Sequence, residues 1–485
     1  MSWSKSPSRR RSARLPRRHP SRPTLEIFED RTLLTAFTVT NSGDSGLGSL
    51  RAIITAANAD PASPHTIAFD STVSTINLSS ALPAITRPVT LNSTGRTDVA
   101  LDGGGGSFDA LTLGPGSDGS VVQFLIIRDF AGAGVLVQSS GNQILGNTLG
   151  SSGQGLQRGV YILDGANNVV GTNAGVNRIG FATVAGVEIS GASSTGNRVE
   201  VNLIGVSEED GDIGNLVGVL ISGGASDNVV GGTAAGAGNI IGYNDEAGVR
   251  IVGADTTGNL VQGNLIGASS NGGARPNPVG VDVAGAGGNT VGGAAAGAGN
   301  FIDAASIAAV RIAGADASGN VVAGNTIGLA FDGSDPASRT TVGVLVDGAA
   351  GNTIGGAGAA RNVIGLTGQA GVRIAGAGST GNTVLRNLIG TDDAGADLGN
   401  PIGVLIEDAS GNFVGGTTDG SGSVIGYSST AAVVIRGATS AGNVVRRNWI
   451  GVDDDDASLA LPNGDGVLID GAGNNTVGGL TAGAG

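Results

Sequence analysis

The stretch Gly248-Val-Arg-Ile-Val-Gly-Ala-Asp-Thr-Thr-Gly-Asn-Leu-Val-Gln-Gly-Asn-Leu-Ile-Gly267 decides how the chain is read. It holds three short apolar runs, at 249–251, 260–261 and 265–266, and the last two each follow an asparagine, Asn259 and Asn264. Val249 and Ile251 lie two apart and therefore share one face of an extended strand. No run reaches helical length, and glycine interrupts them all.

The phrase recurs from about Gly134 to the last residue. First strands begin at Gly134, Gly159, Gly186, Gly218, Gly248, Gly280, Ala309, Gly343, Gly371, Gly403, Ala432 and Gly466. From Gly186 through Gly248, Ala309, Gly371 and Ala432 the steps are 62, 61, 62 and 61 residues, each made of a longer and a shorter copy. The second run follows Asn142, Asn168, Asn197, Asn228, Asn259, Asn289, Asn320, Asn352, Asn382, Asn412, Asn443 and Asn475. The third follows Asn147, Asn177, Asn202, Asn239, Asn264, Asn300, Asn325, Asn362, Asn387 and Asn448, with Ser423 the one exception. Such self-similarity means stacked repeats, each pairing with its neighbours. Three short strands and three turns per copy predict an all-β chain, a parallel β-helix (solenoid). Coils of this length are too long and irregular for the strict hexapeptide pattern of left-handed solenoids, so the predicted hand is right. Asparagine before each strand is expected to tolerate positive φ and to bond neighbouring backbone. Stacked in register, these side chains form ladders.

Composition agrees. Glycine is 90 of 485 residues and aromatics are only 3%, as tight turns around a slim aliphatic interior require. No stretch approaches the ~18 apolar residues of a membrane span. Residues 1–25 carry Lys5, Arg9, Arg10, Arg11, Arg14, Arg17, Arg18 and Arg22 and no acid, and read as a disordered or targeting leader. The remainder holds 18 basic and 40 acidic residues, a balance of −22 that repels nucleic acid and anionic membrane.

Two stretches resemble known families. Leu25-Glu-Ile-Phe-Glu-Asp-Arg-Thr-Leu-Leu-Thr35, after the Arg-rich leader, resembles the N-terminal motif of planctomycete-type extracellular proteins, which implies export or a cell-surface location. Ser49 precedes Leu50, Ile53, Ile54 and Ala57, a capped amphipathic helix. With the strand Phe37-Thr-Val-Thr40, the Asp44-Ser-Gly-Leu-Gly-Ser-Leu-Arg51 core and the later Ile67-Ala-Phe-Asp70, Leu82-Pro-Ala-Ile-Thr86 and Leu101-Asp-Gly103, it resembles the cap and first coils of bacterial surface β-helix proteins. Residues 37–485 thus resemble the pectate-lyase-like superfamily, whose members include polysaccharide lyases, hydrolases, adhesins and tailspikes. Fold likeness does not choose among these. The expected organisation is a leader at 1–36, an N-terminal cap of strand plus short helix at 37–65, and a β-helix at 66–485. Thr481-Ala-Gly-Ala-Gly485 matches Ala234-Ala-Gly-Ala-Gly238 but lacks the strand that follows, so the β-helix reads as incomplete, with further C-terminal domains expected.

The side-chain inventory excludes much chemistry. The only lysine is Lys5, the only histidines are His19 and His65, and there is no cysteine, so the repeats lack all three types. Ser-His-Asp and Cys-His triads, ordinary zinc sites and Schiff bases are excluded from the repeats. Acids, arginines, tyrosines and hydroxyls remain. The resemblance implies that such residues suffice for lyases, with Asp-held Ca²⁺ and an Arg base, and for hydrolases with clustered Asp. The outward position of the first strand reads Tyr161, Glu188, Leu220, Arg250, Asp282, Arg311, Leu345, Arg373, Leu405, Val434 and Leu468. Arg250, Asp282 and Arg311 would be stacked neighbours, the best single place for a catalytic cluster. The plainer reading is a charge-paired surface ladder.

In alternate coils a longer loop follows the third strand, at 206–217, 268–279, 329–342, 391–402 and 452–465. These loops carry Glu208, Glu209, Asp210 and Asp212; Asp332 and Asp335; Asp392, Asp393 and Asp397; and Asp453, Asp454, Asp455, Asp456 and Asp465. Carboxylate oxygens suit Ca²⁺, but no loop matches the EF-hand or calcium β-roll pattern. Solvated loops are the first reading and calcium sites the second. Loop 268–279 differs, having Arg275 and no acid. Phe181, Tyr243 and Tyr427 share a position just after the third strand and read as loop anchors. The functional expectation is a secreted or cell-surface structural, adhesin-like β-helix, a rigid scaffold or binding surface with no cofactor. Its partners would be extracellular polysaccharide or surface components, not nucleic acid. The alternative is an extracellular polysaccharide lyase or hydrolase.

Overall fold

Coil after coil, the repeat lays down three strands, as Ala247–Val252, Leu260–Gln262 and Leu265–Ile266 show. A computed structural model describes residues 35–93, 99–152, 155–269, 271–331, 336, 338–356, 360–418, 420–455 and 458–479. Among these, strands join into parallel sheets of 16, 14 and 13 members, each pairing with its equivalent one coil away. The chain is the expected right-handed parallel β-helix. The leader motif at 25–34 and the terminal 481–485 lie outside the described residues.

Side-chain alternation sets inside and outside. Val249 pairs with Val219 and Val281, and Ile251 with Ile221 and Val283, so aliphatic columns run along the axis. Val249, Ile251, Val261 and Ile266 are fully buried. Each such side chain stabilises the coil by about 1.5–3 kcal/mol relative to exposure.

The corners are held by the asparagine columns. Asn259 Oδ1 accepts from the backbone N–H and Nδ2 of Asn228, at 3.0 and 3.1 Å. Asn259 in turn donates from the same two groups to Asn289 Oδ1, at 2.9 and 3.1 Å. The amide side chain carries both an acceptor and two donors, so it can accept from one coil while donating to the next. The second column behaves alike from Asn239 through Asn264 to Asn300. Ser423 completes its rung by accepting from the Asn387 backbone N–H at 3.1 Å. Positive φ does not fall on these asparagines. It falls on the residue before them in the first column, as at Asn167, Gly196, Asp227 and Gly258 with φ of 55°, 67°, 56° and 70°. That residue makes the turn, which leaves the asparagine free to bond along the axis. A third ladder, not foreseen, precedes the first strands: Asn215 donates to Asn244, and Asn244 to Asn277.

At the N-terminal end, Thr35–Val39 pairs in parallel with His65–Phe69, so it is a rung of the 16-stranded sheet. The helix Leu50–Ala59 is N-capped by Ser49, whose side chain accepts from the Ala52 N–H, and it buries Leu50, Ile54 and Ala57. Among the described residues the register shifts at two places, first between Asp102 and Gly106 in the pairing of Ala100–Gly106 with Ile126–Phe130. It shifts again between Asn277–Ala284 and Ala305–Ala313, giving the latter an extra residue and leaving Ile307 exposed.

Candidate functional site

The outward column of the 13-stranded sheet has the register expected of it, with Tyr161, Glu188, Leu220, Arg250, Asp282 and Arg311 as successive partners. Arg250 Nε lies 3.3 Å from Asp282 Oδ2, and Arg311 Nη1 lies 3.4 Å from Asp282 Oδ1. The outer guanidinium groups reach further acids: Arg250 to Glu246 at 2.7 Å and Arg311 to Asp347 at 3.3 Å. Asp282 is buried, with a side-chain exposure of 6%. Burial raises its pKa above the ordinary carboxylate range, and Arg311 and Arg250 offset only part of that rise.

A second clamp lies further along. Glu407 Oε2 is 2.7 Å from Arg373 Nη2, and Glu407 Oε1 is 2.6 Å from Arg436 Nη2. Burial pushes Glu407 up, but Arg436 and Arg373 together outweigh it and hold the carboxyl below its usual range. A third cluster pairs Arg158 with Glu188 and sets the Arg158 guanidinium 4.6 Å from the Tyr161 ring centroid. Leu405 and Val434, outward by alternation, are nonetheless buried with Ala370 and Ala431. The sheet face is therefore a series of closed ion-pair clusters divided by apolar patches. Asp282 and Glu407 each have both oxygens engaged by guanidinium groups. A carboxylate so engaged is poorly placed to exchange a proton with a substrate.

The loop acids are mostly engaged too. Glu208 pairs with Arg178, and Asp210 with the buried Arg275. Asp393 and Asp454 both face Arg361, at 3.8 and 3.2 Å. Asp212, Asp392, Asp397 and Asp453 accept backbone N–H bonds from Gly214, Ala394, Gly399 and Asp455, so they close their own turns. Asp455 is exposed, and Asp456 lies outside the described residues, as do Asp332 and Asp335. Among the described residues no three or more His, Cys, Asp or Glu side chains gather at metal-binding spacing. Arg275 explains its odd loop: it supplies the counter-charge to Asp210 of loop 206–217, two coils away. The aromatic position after the third strand also serves the loops. Tyr243 Oη lies 3.4 Å from the carbonyl oxygens of Asp210 and Ala274, and Tyr427 Oη donates to the Gly395 carbonyl at 3.1 Å.

One feature escaped the sequence reading. On the corner between the 16- and 14-stranded sheets lies a groove of about 490 Å³, lined by Arg386, Arg446, Phe413, Thr383, Thr418, Gly415 and Gly416 among others. Phe413 is 37% exposed. The signal lay in the residues after the second strand, Leu385-Arg386 and Arg446-Arg447, where most other coils carry glycine or uncharged residues such as Gly324 and Gln262 and one carries the acid Glu200.

No family model matches the chain, and no curated protein matches it. Solved structures do. The surface adhesin PfbA of Streptococcus pneumoniae is similar over 90% of this chain and 100% of its own, at 12% identity and a TM-score of 0.39. The Dettilon tailspike protein is similar over 90% of this chain and 68% of its own, at 14% identity and a TM-score of 0.44. A PL6 family polysaccharide lyase from Pseudopedobacter saltans is similar over 93% and 94%, at 12% identity and a TM-score of 0.36. Among the described residues no helix is long and apolar enough to cross a membrane.

Proposed function

We propose that this chain is a non-catalytic scaffold of an extracellular or cell-surface protein, a stiff β-helix whose lateral faces serve as contact surfaces. The observation that carries this reading is the clamping of the sheet-face acids. Asp282 sits between Arg250 and Arg311, and Glu407 between Arg373 and Arg436. Each guanidinium comes from a neighbouring rung, so the charges close the surface along the axis. Extracellular placement is supported by the leader motif at 25–35. The test is to incubate the full chain with acidic and neutral polysaccharides, with and without millimolar Ca²⁺, and to follow chain length. No cleavage is expected. Cleavage that disappears in Asp282→Asn would replace the scaffold with the lyase or hydrolase reading.

A further inference from the structure

We infer that the corner groove between Arg386 and Arg446 binds a sugar chain bearing carboxylate or sulfate groups. The inference rests on the scaffold reading only in that it gives one lateral face a ligand. Three observations carry it.

The first is charge. Along the described repeats, Arg158, Arg178, Arg198, Arg250, Arg275, Arg311, Arg361, Arg373 and Arg436 all pair with carboxylates. Among the described residues, Arg339, Arg386 and Arg446 have no such partner, and of these Arg386 and Arg446 share one groove, in a chain where acids outnumber bases 40 to 26. Two guanidinium groups left open in an acidic protein form a local basic site, and their planar forks suit carboxylate or sulfate oxygens.

The second is shape. Val384, Val414 and Val445 are successive rungs, so Leu385, Gly415 and Arg446 follow in register, and Arg386 with Gly416. The two arginines therefore stand about two strand spacings, ~10 Å, apart along the axis, with Gly415 and Gly416 between them. Gly415 has φ of 90°, and a Cβ there would lie 1.9 Å from the Arg446 carbonyl oxygen. No side chain is tolerated on this floor, so the trough stays open. Its volume of about 490 Å³ is within the ~300–1,000 Å³ of ligand pockets.

The third is the mixture of surfaces. Phe413 presents an exposed ring beside the trough, and the hydroxyls of Thr383 and Thr418 also line it. An apolar ring face, hydroxyl partners and anion-binding forks together match a charged sugar, which has a carbon-bound face, hydroxyls and an acid group. An acidic peptide would use the forks and leave the ring and hydroxyls idle.

The experiment is calorimetric titration of the full chain with hexagalacturonate, a sulfated hexasaccharide, neutral maltohexaose and hexaglutamate. At least one anionic sugar is expected to bind tenfold or more tightly than maltohexaose and hexaglutamate, and comparison of the two separates uronate from sulfate recognition. Arg386→Asn, which suits the left-handed backbone at that position (φ 51°), Arg446→Gln and Phe413→Ala should each weaken binding about tenfold, with unchanged melting curves. Arg339→Gln, at an exposed arginine outside the groove, should not. The inference is overturned if neither anionic sugar outbinds maltohexaose, if hexaglutamate binds as well, or if binding survives all three groove variants. Chain cleavage, followed in the same samples, bears on the scaffold reading alone.

Discussion

Asp303 is the acid whose environment makes the sharpest demand on stability. It follows the third strand Phe301–Ile302, at a position that is glycine in Gly180, Gly242, Gly365 and Gly426. At Gly242, Gly365 and Gly426 an added Cβ would come within 2.5, 2.7 and 2.7 Å of the Cβ of Arg275, Leu398 and Leu461, where the next loop returns. By repeat spacing the residue facing Asp303 is the smaller Ser338, which makes room for a side chain. Asp303 is 4% exposed, and no ion pair reaches it among the described residues. Burial pushes its pKa up to about 6, against the pull of the Ala304 N–H and the Thr340 hydroxyl at 3.3 Å. In the unfolded chain the value is about 3.9. The folded state therefore holds this proton more tightly. Its contribution is fully present below about pH 4 and is lost as pH rises through about 6. A shift of roughly 2 units corresponds to about 3 kcal/mol as an upper bound at neutral pH. Asp303→Asn removes the charge and keeps the shape. It should raise local stability by about 1–3 kcal/mol at pH 7.5 and leave it unchanged at pH 4. Hydrogen exchange over residues 300–345 is the suitable assay, because repeats open locally, with melting curves from pH 4 to 8 beside it. An equal gain at both pH values would place the effect in packing, and no gain at pH 7.5 would refute the buried-charge argument.

Ile251 is fully buried and Arg250 is 34% exposed, so Ile251→Asp should prevent folding. Arg250→Ala should cost about 1 kcal/mol or less, because Arg311 still faces Asp282; a melt tolerating both would reverse inside and outside. Asn259→Ala strips the acceptor from two buried donors of Asn228 and should cost about 2–4 kcal/mol by denaturant unfolding, well above Asn475→Ala at the last described rung. Glu407, held below its ordinary range by Arg436 and Arg373, contributes stability above that range and loses it as pH falls. Glu407→Gln should therefore lower the melting temperature at pH 7 and not below about pH 4, by no more than ~1 kcal/mol for this partly exposed carboxylate. Millimolar Ca²⁺ should leave the melting temperature of the full chain unchanged, since arginines and backbone N–H groups already engage most loop acids; a chelator-reversible rise would restore the calcium reading.

What was legible in the sequence is what repetition enforces. Each rung of the Val and Ile columns, and of the two asparagine columns, answers to the rungs on either side, so a residue that serves one coil serves all. Hence Arg250, Asp282 and Arg311 could be placed in register from spacing alone. The buried Leu405 and Val434 show the limit: alternation tells direction, and whether an outward side chain is covered depends on neighbours such as Ala370 and Ala431. The third ladder was hidden because its asparagines are interrupted by other residues, Thr340 and Ser428 among them; the Thr340 hydroxyl accepts from the Ala305 N–H, and the Ser428 backbone N–H donates to Asn463 Oδ1.

The partners of the arginines were the least legible feature, and the reason is geometric. Arg275 meets Asp210 across 65 residues and Arg361 meets Asp454 across 93. Both contacts join loops to coils other than their immediate neighbours, so no fixed offset in the repeat encodes them. Yet they decide how the acidic loops behave. A loop bearing Glu208, Asp210 and Asp212 looks in sequence like a place that recruits a cation, and in the structure Arg178 and Arg275 are that cation for two of the three. Among the described residues of the repeats, Arg339, Arg386 and Arg446 have no carboxylate partner, and the last two share the corner groove. Those two guanidinium groups stand along one trough, where a single outside anion chain could meet both.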